Sequence, residues 1–415
     1  MRRGPVRAAL ARREFRLIWL GSLGSNIGNW MQTFVLAKYV DDATHSGSWV
    51  GLVTFAQLFP ILGLSLVGGV VADRFDRRRL LIALQAVQMV LSFGLAALLA
   101  TDRHPAVIAI VAFVGAAGIA NAINLPTYGA LLPALVSRDE LPGAISLNSA
   151  VVNGSRVAGP AIAGLLYSPL GAAWLLVINA VTFLFIIAAL LTIRLPQLPV
   201  SRDQGWQALL GGLAFARRTP VVRHILVGMT VFSLLSLPFI GLFASLARVH
   251  LGLSASSVVF GIHGGATIYG LLYASFGLGA LVGGLATGTF LNHLDRRRNA
   301  RIGFAGFGVA MAAFAFLPRP APAFVIVFVI GVCYFATTTS LLTILQQSSP
   351  EEVRGRVIAL WFMSFGGMVS VAGLAFGPIL DATSGRFILS IGAVAALALA
   401  WRLDLSRPVP TPEAV

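Results

Sequence analysis

Apolar residues occupy blocks of roughly twenty along this chain, the length that one helix needs to cross a bilayer. Polar residues collect in the gaps between them. Within each block the apolar run is continuous and does not alternate with period two, so the pattern predicts helices and excludes a β-barrel. Twelve spans are predicted, near 17–39, 50–72, 79–100, 105–132, 143–167, 171–193, 223–247, 267–291, 302–318, 322–346, 356–380 and 386–402. The connections are short except for 194–222. The first block is too long for a signal peptide, and no small-residue cleavage site follows it.

Composition leads to the same solvent. Of 415 residues 57% are hydrophobic and only 11% charged, and the mean hydropathy is +0.86. A soluble domain carries about 25% charged residues, so this chain has too little polar surface to cover itself in water. The fold class expected is an all-α integral membrane protein.

Charge placement sets the orientation. With the N-terminus in the cytoplasm, 24 of the 30 Lys and Arg fall on inner loops and tails, five fall on outer loops, and Arg156 alone lies within a span. That asymmetry is the positive-inside pattern, and twelve spans bring the C-terminus back to the cytoplasm. The net charge of +15 is accounted for by anionic lipid headgroups facing those loops, so no nucleic-acid partner is expected. A single cysteine, Cys333, excludes an intramolecular disulfide.

The second half echoes the first. "VSRDELPGAISL" (136–147) aligns with "SSPEEVRGRVIAL" (348–360), matching Gly143 to Gly355. Both segments spell a capping box, Ser137–Glu140 and Ser349–Glu352, with acids at a positive helix end. Asp76-Arg77-Arg78-Arg79 is repeated as Asp295-Arg296-Arg297-Arg298. A parallel duplication follows. The N-terminal six-helix bundle is residues 1–194, a cytoplasmic linker is 195–222, the C-terminal bundle is 223–403, and the tail is 404–415. Such duplications place a substrate site between the halves near the midplane.

In "GGVVADRFDRRR" the order is Gly69-x-x-x-Asp73-Arg74-x-x-Arg77-Arg78. Here the chain resembles the major facilitator superfamily, whose loop between the second and third helices carries G-x-x-x-D-R-x-G-R-R; Asp76 stands where that pattern has its second glycine. "FRLIWLGSLGSNIGNWMQ", "SRVAGPAIAGLL" and "SSPEEVRGRVIALW" resemble the branch of enterobactin-type siderophore exporters and macrolide efflux pumps. The resemblance implies that Gly69, Asp73, Arg74, Arg77 and Arg78 form a cytoplasmic gate, with Asp73 facing the helix that begins after Ser349. Topology anchoring alone would account for the charges, and for Arg78, Arg79 and Arg296–Arg298 in particular. It requires neither Gly69 nor Asp73.

Polar side chains inside spans are costly and face the bundle interior. Asn26, Asn29 and Thr33 share a face of the first helix with Gln32 nearby, and Asn121, Asn124 and Tyr128 share one on the fourth. Ser149, Asn153 and Arg156 follow the same spacing on the fifth, and Thr339, Thr343 and Gln346 on the tenth. The resemblance implies that the first, fourth, seventh and tenth helices line a central cavity; Ser233, Ser236 and Pro238 leave the seventh mostly apolar. A cavity of this kind suits a large amphipathic solute, whereas interhelical hydrogen bonding is the alternative for each single asparagine.

Arg156 has three readings: an anionic-substrate contact, a coupling charge, or a side chain bonded to backbone carbonyls. Its surroundings, Gly159, Pro160 and Gly164, resemble the exporter motif G-x-x-x-G-P-x-x-G-G on the fifth helix, with Gly154 one residue out of step and Ala163 before Gly164. Every Asp and Glu falls in a loop or at a span end, including Asp41, Asp42, Asp102 and Asp381. No buried carboxylate for a proton is therefore visible, and of the histidines His250 and His263 flank an outer loop.

The only lysine is Lys38, so there is no phosphate-cradling Walker A lysine, and no G-x-S-x-G, H-E-x-x-H or paired cysteines occur. No enzyme activity, cofactor or metal is expected. The function expected is a secondary transporter, a monomer in the bacterial cytoplasmic membrane, exporting a hydrophobic or amphipathic small molecule in exchange for protons. The alternatives are an importer or lipid flippase of the same fold, or a membrane scaffold without flux.

Overall fold

The computed structural model describes residues 5–102, 105–193, 206–288 and 295–403, nearly all of them helical. In the first half, a short Pro5–Ala11 helix (α1) precedes Arg13–Thr44 (α2), Gly47–Arg74 (α3), Arg77–Thr101 (α4) and Val107–Leu131 (α5). Leu141–Thr192 (α6) carries the fifth and sixth predicted spans in one continuous trace. It turns at Gly171, two residues after Pro169, where φ is 76° and ψ 169°. Without a Cβ, glycine takes that conformation at little cost.

The linker contributes Trp206–Arg218 (α7), packed through Gly211 and Gly212 against Arg356. The seventh predicted span is broken into Pro220–Leu235 (α8), Pro238–Gly241 (α9) and Phe243–Val249 (α10). Pro238 has no N–H to continue the ladder, and the Ser236 hydroxyl instead donates to Gly392 O at 2.8 Å. A hairpin, Val258–Val259 (β1) with Ile262–His263 (β2), leads into Gly265–Gly288 (α11). Arg296–Phe316 (α12) and Pro320–Gln347 (α13) follow. The eleventh span is Glu351–Phe362 (α14), a π-helical turn at Met363–Gly367 and Met368–Ala382 (α15), and Gly385–Arg402 (α16) is the last. Each of the twelve predicted spans thus has a helical counterpart among the described residues, and α1 and α7 were not anticipated.

Charge at the helix starts is capping chemistry. The Asp76 carboxylate accepts from Arg79 N at 2.8 Å at the start of α4, and Asp295 accepts from Arg297 N at 2.9 Å at the start of α12. The two echoed aspartates therefore do the same work in the two halves. Arg78 turns the other way. Its Nε and Nη2 donate to Leu190 O and Leu191 O, both at 2.6 Å, covering carbonyls left open at the end of α6.

Of the two capping boxes the first forms through Glu140, whereas the Glu352 side chain of the second lies outside the described residues. Glu140 does reach back to Ser137 N at 2.9 Å. That bond, with help from Arg12 at 3.1 Å, holds the Glu140 carboxyl below the usual glutamate range. In the second half Pro350 is the N-cap of α14 and offers no side-chain cap, while the Ser349 hydroxyl donates back to Leu345 O at 2.7 Å. The chain turns so tightly there that Ser349 still serves the last turn of α13.

Two seams join the halves, α3 against α15 and α6 against α11. Both run on glycine. A Cβ on Gly51 would overlap the Gly373 carbonyl, and one on Gly377 would lie 2.6 Å from Gly47 O. On the other seam a Cβ on Gly164 would lie 2.8 Å from the Gly270 Cα. Lipid offers helices no hydrophobic reason to associate, so close backbone approach of this kind carries much of the attraction.

Candidate functional site

Helix direction defines two ends. Arg13, Arg77, Ser137, Arg296 and Ser349 lie at one, the Arg-rich end; Asp41, Gly47, Arg248 and Asp381 lie at the other. At this second end polar bonds tie the halves together. The Arg248 guanidinium donates through Nε and Nη2 to the two Asp41 oxygens, each at 2.9 Å, and Asp41 is fully buried. Asp381, in the last turn of α15, accepts from Gly47 N at 2.6 Å and Ser48 N at 2.9 Å. It also accepts from the Ser46 and Ser48 hydroxyls at 2.7 and 2.6 Å. One carboxylate therefore caps the positive start of α3 from across the seam. Thr54 adds a bond to Gly241 O at 3.2 Å, and Thr267 one to Gly164 O at 3.1 Å. The bundle is closed at the Asp41 end.

Just outside that closed end His250 faces Phe314 O at 2.8 Å, which places the ring proton on Nε2. Burial lowers its pKa, against the favourable carbonyl, and Arg386 lowers it further.

Beneath the closure lies a cavity of about 300 Å³. Asn26, Asn29, Gln32 and Asn121 line it, as do Thr33, Gln57 and Gln88. The second half supplies Tyr269 and Tyr273 from α11, Ile240 and Gly241 from α9, and Val369. The amides thus come from the first half, while the aromatic rings come from both, Trp30 from α2 and Tyr269 and Tyr273 from α11. The Nε2 of Gln88 is buried without a hydrogen-bond partner, a donor left over beside the cavity.

Gln32 is held rigidly. Its Oε1 accepts from Asn179 Nδ2 at 2.7 Å and from the Ser92 hydroxyl at 3.0 Å, and Asn179 is fully buried. Replacing Asn179 with Leu should destabilise the bundle by about 1 kcal/mol, the net worth of a lost hydrogen bond, because Ser92 still donates to Gln32 Oε1. Thermal unfolding in detergent measures it, and an unchanged midpoint would remove the structural role of this network.

The other expected cavity residues lie elsewhere. Asn124 accepts from Gln85 Nε2 at 3.1 Å, Tyr128 packs in the core near the Arg-rich end, and Asn153 donates to Ser149 O on its own helix. Thr343 donates to Thr339 O, and Gln346 is exposed near the end of α13. None of these six lines this cavity. No residue of α13 lines this cavity, and α11 faces it with Tyr269 and Tyr273. Trp30, Gln57, Gln88, Tyr269 and Tyr273 were not singled out from sequence. Aromatic residues in apolar spans look like core and Gln57 stands alone, but Gln85, Gln88 and Ser92 follow i, i+3, i+7 on α4, a helical repeat that could have pointed to Gln88.

Of the expected gate, the side chains of Gly69, Asp73 and Arg74 lie outside the described residues. Arg77 opens α4, and Arg78 serves α6 of its own half, so its bonds are those of an anchor and not of a clasp between halves. On the fifth helix Gly159 lets α6 press on α2, where a Cβ would lie 2.5 Å from the Cβ of Trp30. Arg156 sits one turn away at mid-depth, with its Cζ 5.0 Å from the Trp30 ring centroid and 4.9 Å from that of Phe335.

Two duplicated helical bundles, sealed against each other at one end over a shared cavity, define a secondary transporter of the major facilitator fold. Solved structures share that fold. The nucleoside transporter NupG (D323A mutant) superposes with a TM-score of 0.73 at 18% identity, covering 94% of this chain and 98% of that one. An inward-facing bacterial homologue of the iron transporter ferroportin gives 0.69 at 17% identity, covering 94% and 97%. Residues 5–415 match the family of transmembrane secretion effectors, and the chain belongs to that family. Among its relatives are the enterobactin exporter EntS of Citrobacter koseri, 27% identical over 96% of this chain and 95% of that protein. The enterobactin exporter EntS of Escherichia coli O1:K1 / APEC is 28% identical over 97% and 94%. The protein is accordingly a multi-pass membrane transporter and not an enzyme.

Proposed function

We propose that this protein exports an amphipathic small molecule, a siderophore, drug or metabolite, across the bacterial cytoplasmic membrane. The observation that carries the reading is the cavity beneath a closed end, lined by amides from the first half and by aromatic rings from both halves. Full-length similarity to two proteins named enterobactin exporters supports the direction and the siderophore. The chain works as a monomer among anionic lipids with both termini and the Arg-rich end in the cytoplasm, as the positive-inside pattern supports. In that orientation the Asp41 end faces outward and the structure is inward-facing.

Residues 1–194 and 223–403 would rock about the two glycine seams. Closing the Arg-rich end would bring Asp73, beside Gly69 and Arg74, against the start of α14, with Arg77 as its charged neighbour. Inward proton flow is the proposed driving force. Carboxylates among the described residues lie at the ends of the bundle, so the proton would be read at a rim. In the closed arrangement Asp381 is held below the usual aspartate range, its desolvation outweighed by the donors of Ser48, Ser46 and Gly47, so it would take up a proton only where α3 and α15 have parted.

Proteoliposomes loaded with substrate and given either a pH gradient or a membrane potential test the reading. Efflux that rises with an opposing proton gradient supports export by antiport. Uptake would make the protein an importer, movement of phospholipid a flippase, and no flux a scaffold. Replacing Asp73 with Asn should cut transport at least tenfold while membrane insertion is unchanged, and full efflux in that variant would remove the gate.

A further inference from the structure

Several arginines at the ends of the bundle close on acceptors. Arg78 covers two carbonyls, Arg248 grips Asp41, Arg12 meets Glu140, and Arg296 donates to Thr287 O. Arg156 does not. Its Nε is buried without a hydrogen-bond partner, and no described carboxylate pairs with it. The expected alternative, bonding to backbone carbonyls, is not what the side chain does at its Nε. A guanidinium keeps its charge in proteins and presents five donors in a flat fork. A cation in the middle of a membrane bundle is retained at a cost unless something answers it.

What surrounds it is aromatic. Trp30 from the first half and Phe335 from the second lie at 5.0 and 4.9 Å from the guanidinium carbon, over the ring faces. Tyr273 is next to Trp30, with ring centroids 6.4 Å apart, and Tyr334 is next to Phe335 at 5.1 Å. Aromatic faces attract the cation but accept no directed N–H bonds of normal strength. They hold the guanidinium in place and leave its donor edge unused. Trp30 and Tyr273 are also walls of the cavity, so the same rings touch both the cation and the space for cargo.

We infer that Arg156 is the anion subsite of the transport cavity, and that the cargo is an amphipathic molecule bearing a flat aromatic group next to a singly charged oxyanion. The oxyanion takes the donor edge in the two-bond geometry that suits carboxylate or sulfonate. The aromatic group lies among Trp30, Tyr273 and Phe335, beside the cavity that Trp30 and Tyr273 wall and that Gln88, with its unpartnered Nε2, also lines. Because Arg156 and Trp30 belong to one half and Phe335 to the other, rocking parts the walls of the subsite and lowers its grip on the anion. This inference rests on the export reading for the word cargo and on the geometry alone for the anion.

The test uses the full-length protein in detergent with two ligands of equal shape, 2-naphthalenesulfonate and the neutral 2-naphthalenesulfonamide. Calorimetric titration should show the sulfonate binding at least tenfold more tightly to the wild type. In Arg156→Gln the two should bind alike, and in Arg156→Lys part of the preference should return, because a point charge survives without the fork. Equal binding of both ligands to the wild type overturns the inference without recourse to any variant, and so does a preference that survives Arg156→Gln in folded protein. Proteoliposomes then separate the two readings. Selective binding with no flux of the sulfonate would sink export while leaving the anion subsite in place, whereas flux of both ligands at equal rates would sink the subsite and spare export.

Discussion

Replacing Asp41 with Asn is expected to open the end of the bundle that is closed in this structure. The Asp41 carboxylate is buried and fully engaged by Arg248, whose side chain is 27% exposed. Removing one partner of such a pair leaves the other charge without compensation, at about 3 kcal/mol, the low end for buried pairs because Arg248 keeps some water. The cost falls on the closed state alone, since parting the halves hydrates both residues. A difference of about 3 kcal/mol moves a two-state equilibrium roughly a hundredfold. Spin labels at the exposed residues Ala43 and Ser256 sit on opposite halves at this end. Their distance distribution should move to longer values in Asp41→Asn and in Arg248→Gln. The charge-reversed pair, Asp41→Arg with Arg248→Asp, should recover part of the short distance. An unchanged distribution in both single variants would mean that the ion pair is incidental and the glycine seams close the end by themselves.

The second large effect is expected at Gly51. A Cβ there has no room beside the Gly373 carbonyl, and the obstructing atom is backbone, which cannot swing aside. Gly51→Ala therefore forces α3 and α15 apart at the closed end. Overpacking of this kind costs about 1–3 kcal/mol, while alanine favours the helix itself by up to about 1 kcal/mol. The fold gains and only the closed state loses, so the protein should insert normally and rest open at the Asp41 end. A cysteine at Ala37 on the cavity wall, with Cys333 replaced by serine, should react at least tenfold faster with a bulky impermeant maleimide once Gly51→Ala is added. Transport should fall by a similar factor. Wild-type labelling rates in that variant would show that the seam can slip without opening, and the assignment of the closed state would fail with it.

These two positions illustrate what could be read in advance. Asp41 and Arg248 were visible as a carboxylate and a cation near span ends, but they are 207 residues apart, and nothing local links them. The same holds for Asp381 and the start of α3. Gly51 stands in a run that suits any membrane helix. Asn26, Asn29, Gln32 and Asn121 were legible because amides at helical spacing in an apolar span have few uses. Asn124, Asn153 and Thr343 carry the same signal, yet each satisfies itself on a neighbour or on its own helix, and spacing does not separate the two cases. Arg156 stood out as the only charge deep in a span; its aromatic partners did not.

Composition and period alone determined the solvent of this protein, the positions of its helices and the duplication of its halves. Those properties add up residue by residue along a single segment. Which end is closed, which charges meet and which walls enclose the cavity were decided by tertiary structure. They depend on side chains from helices far apart in the chain, and on a difference of a few kcal/mol between two ways of packing the same halves. No local pattern carries that difference.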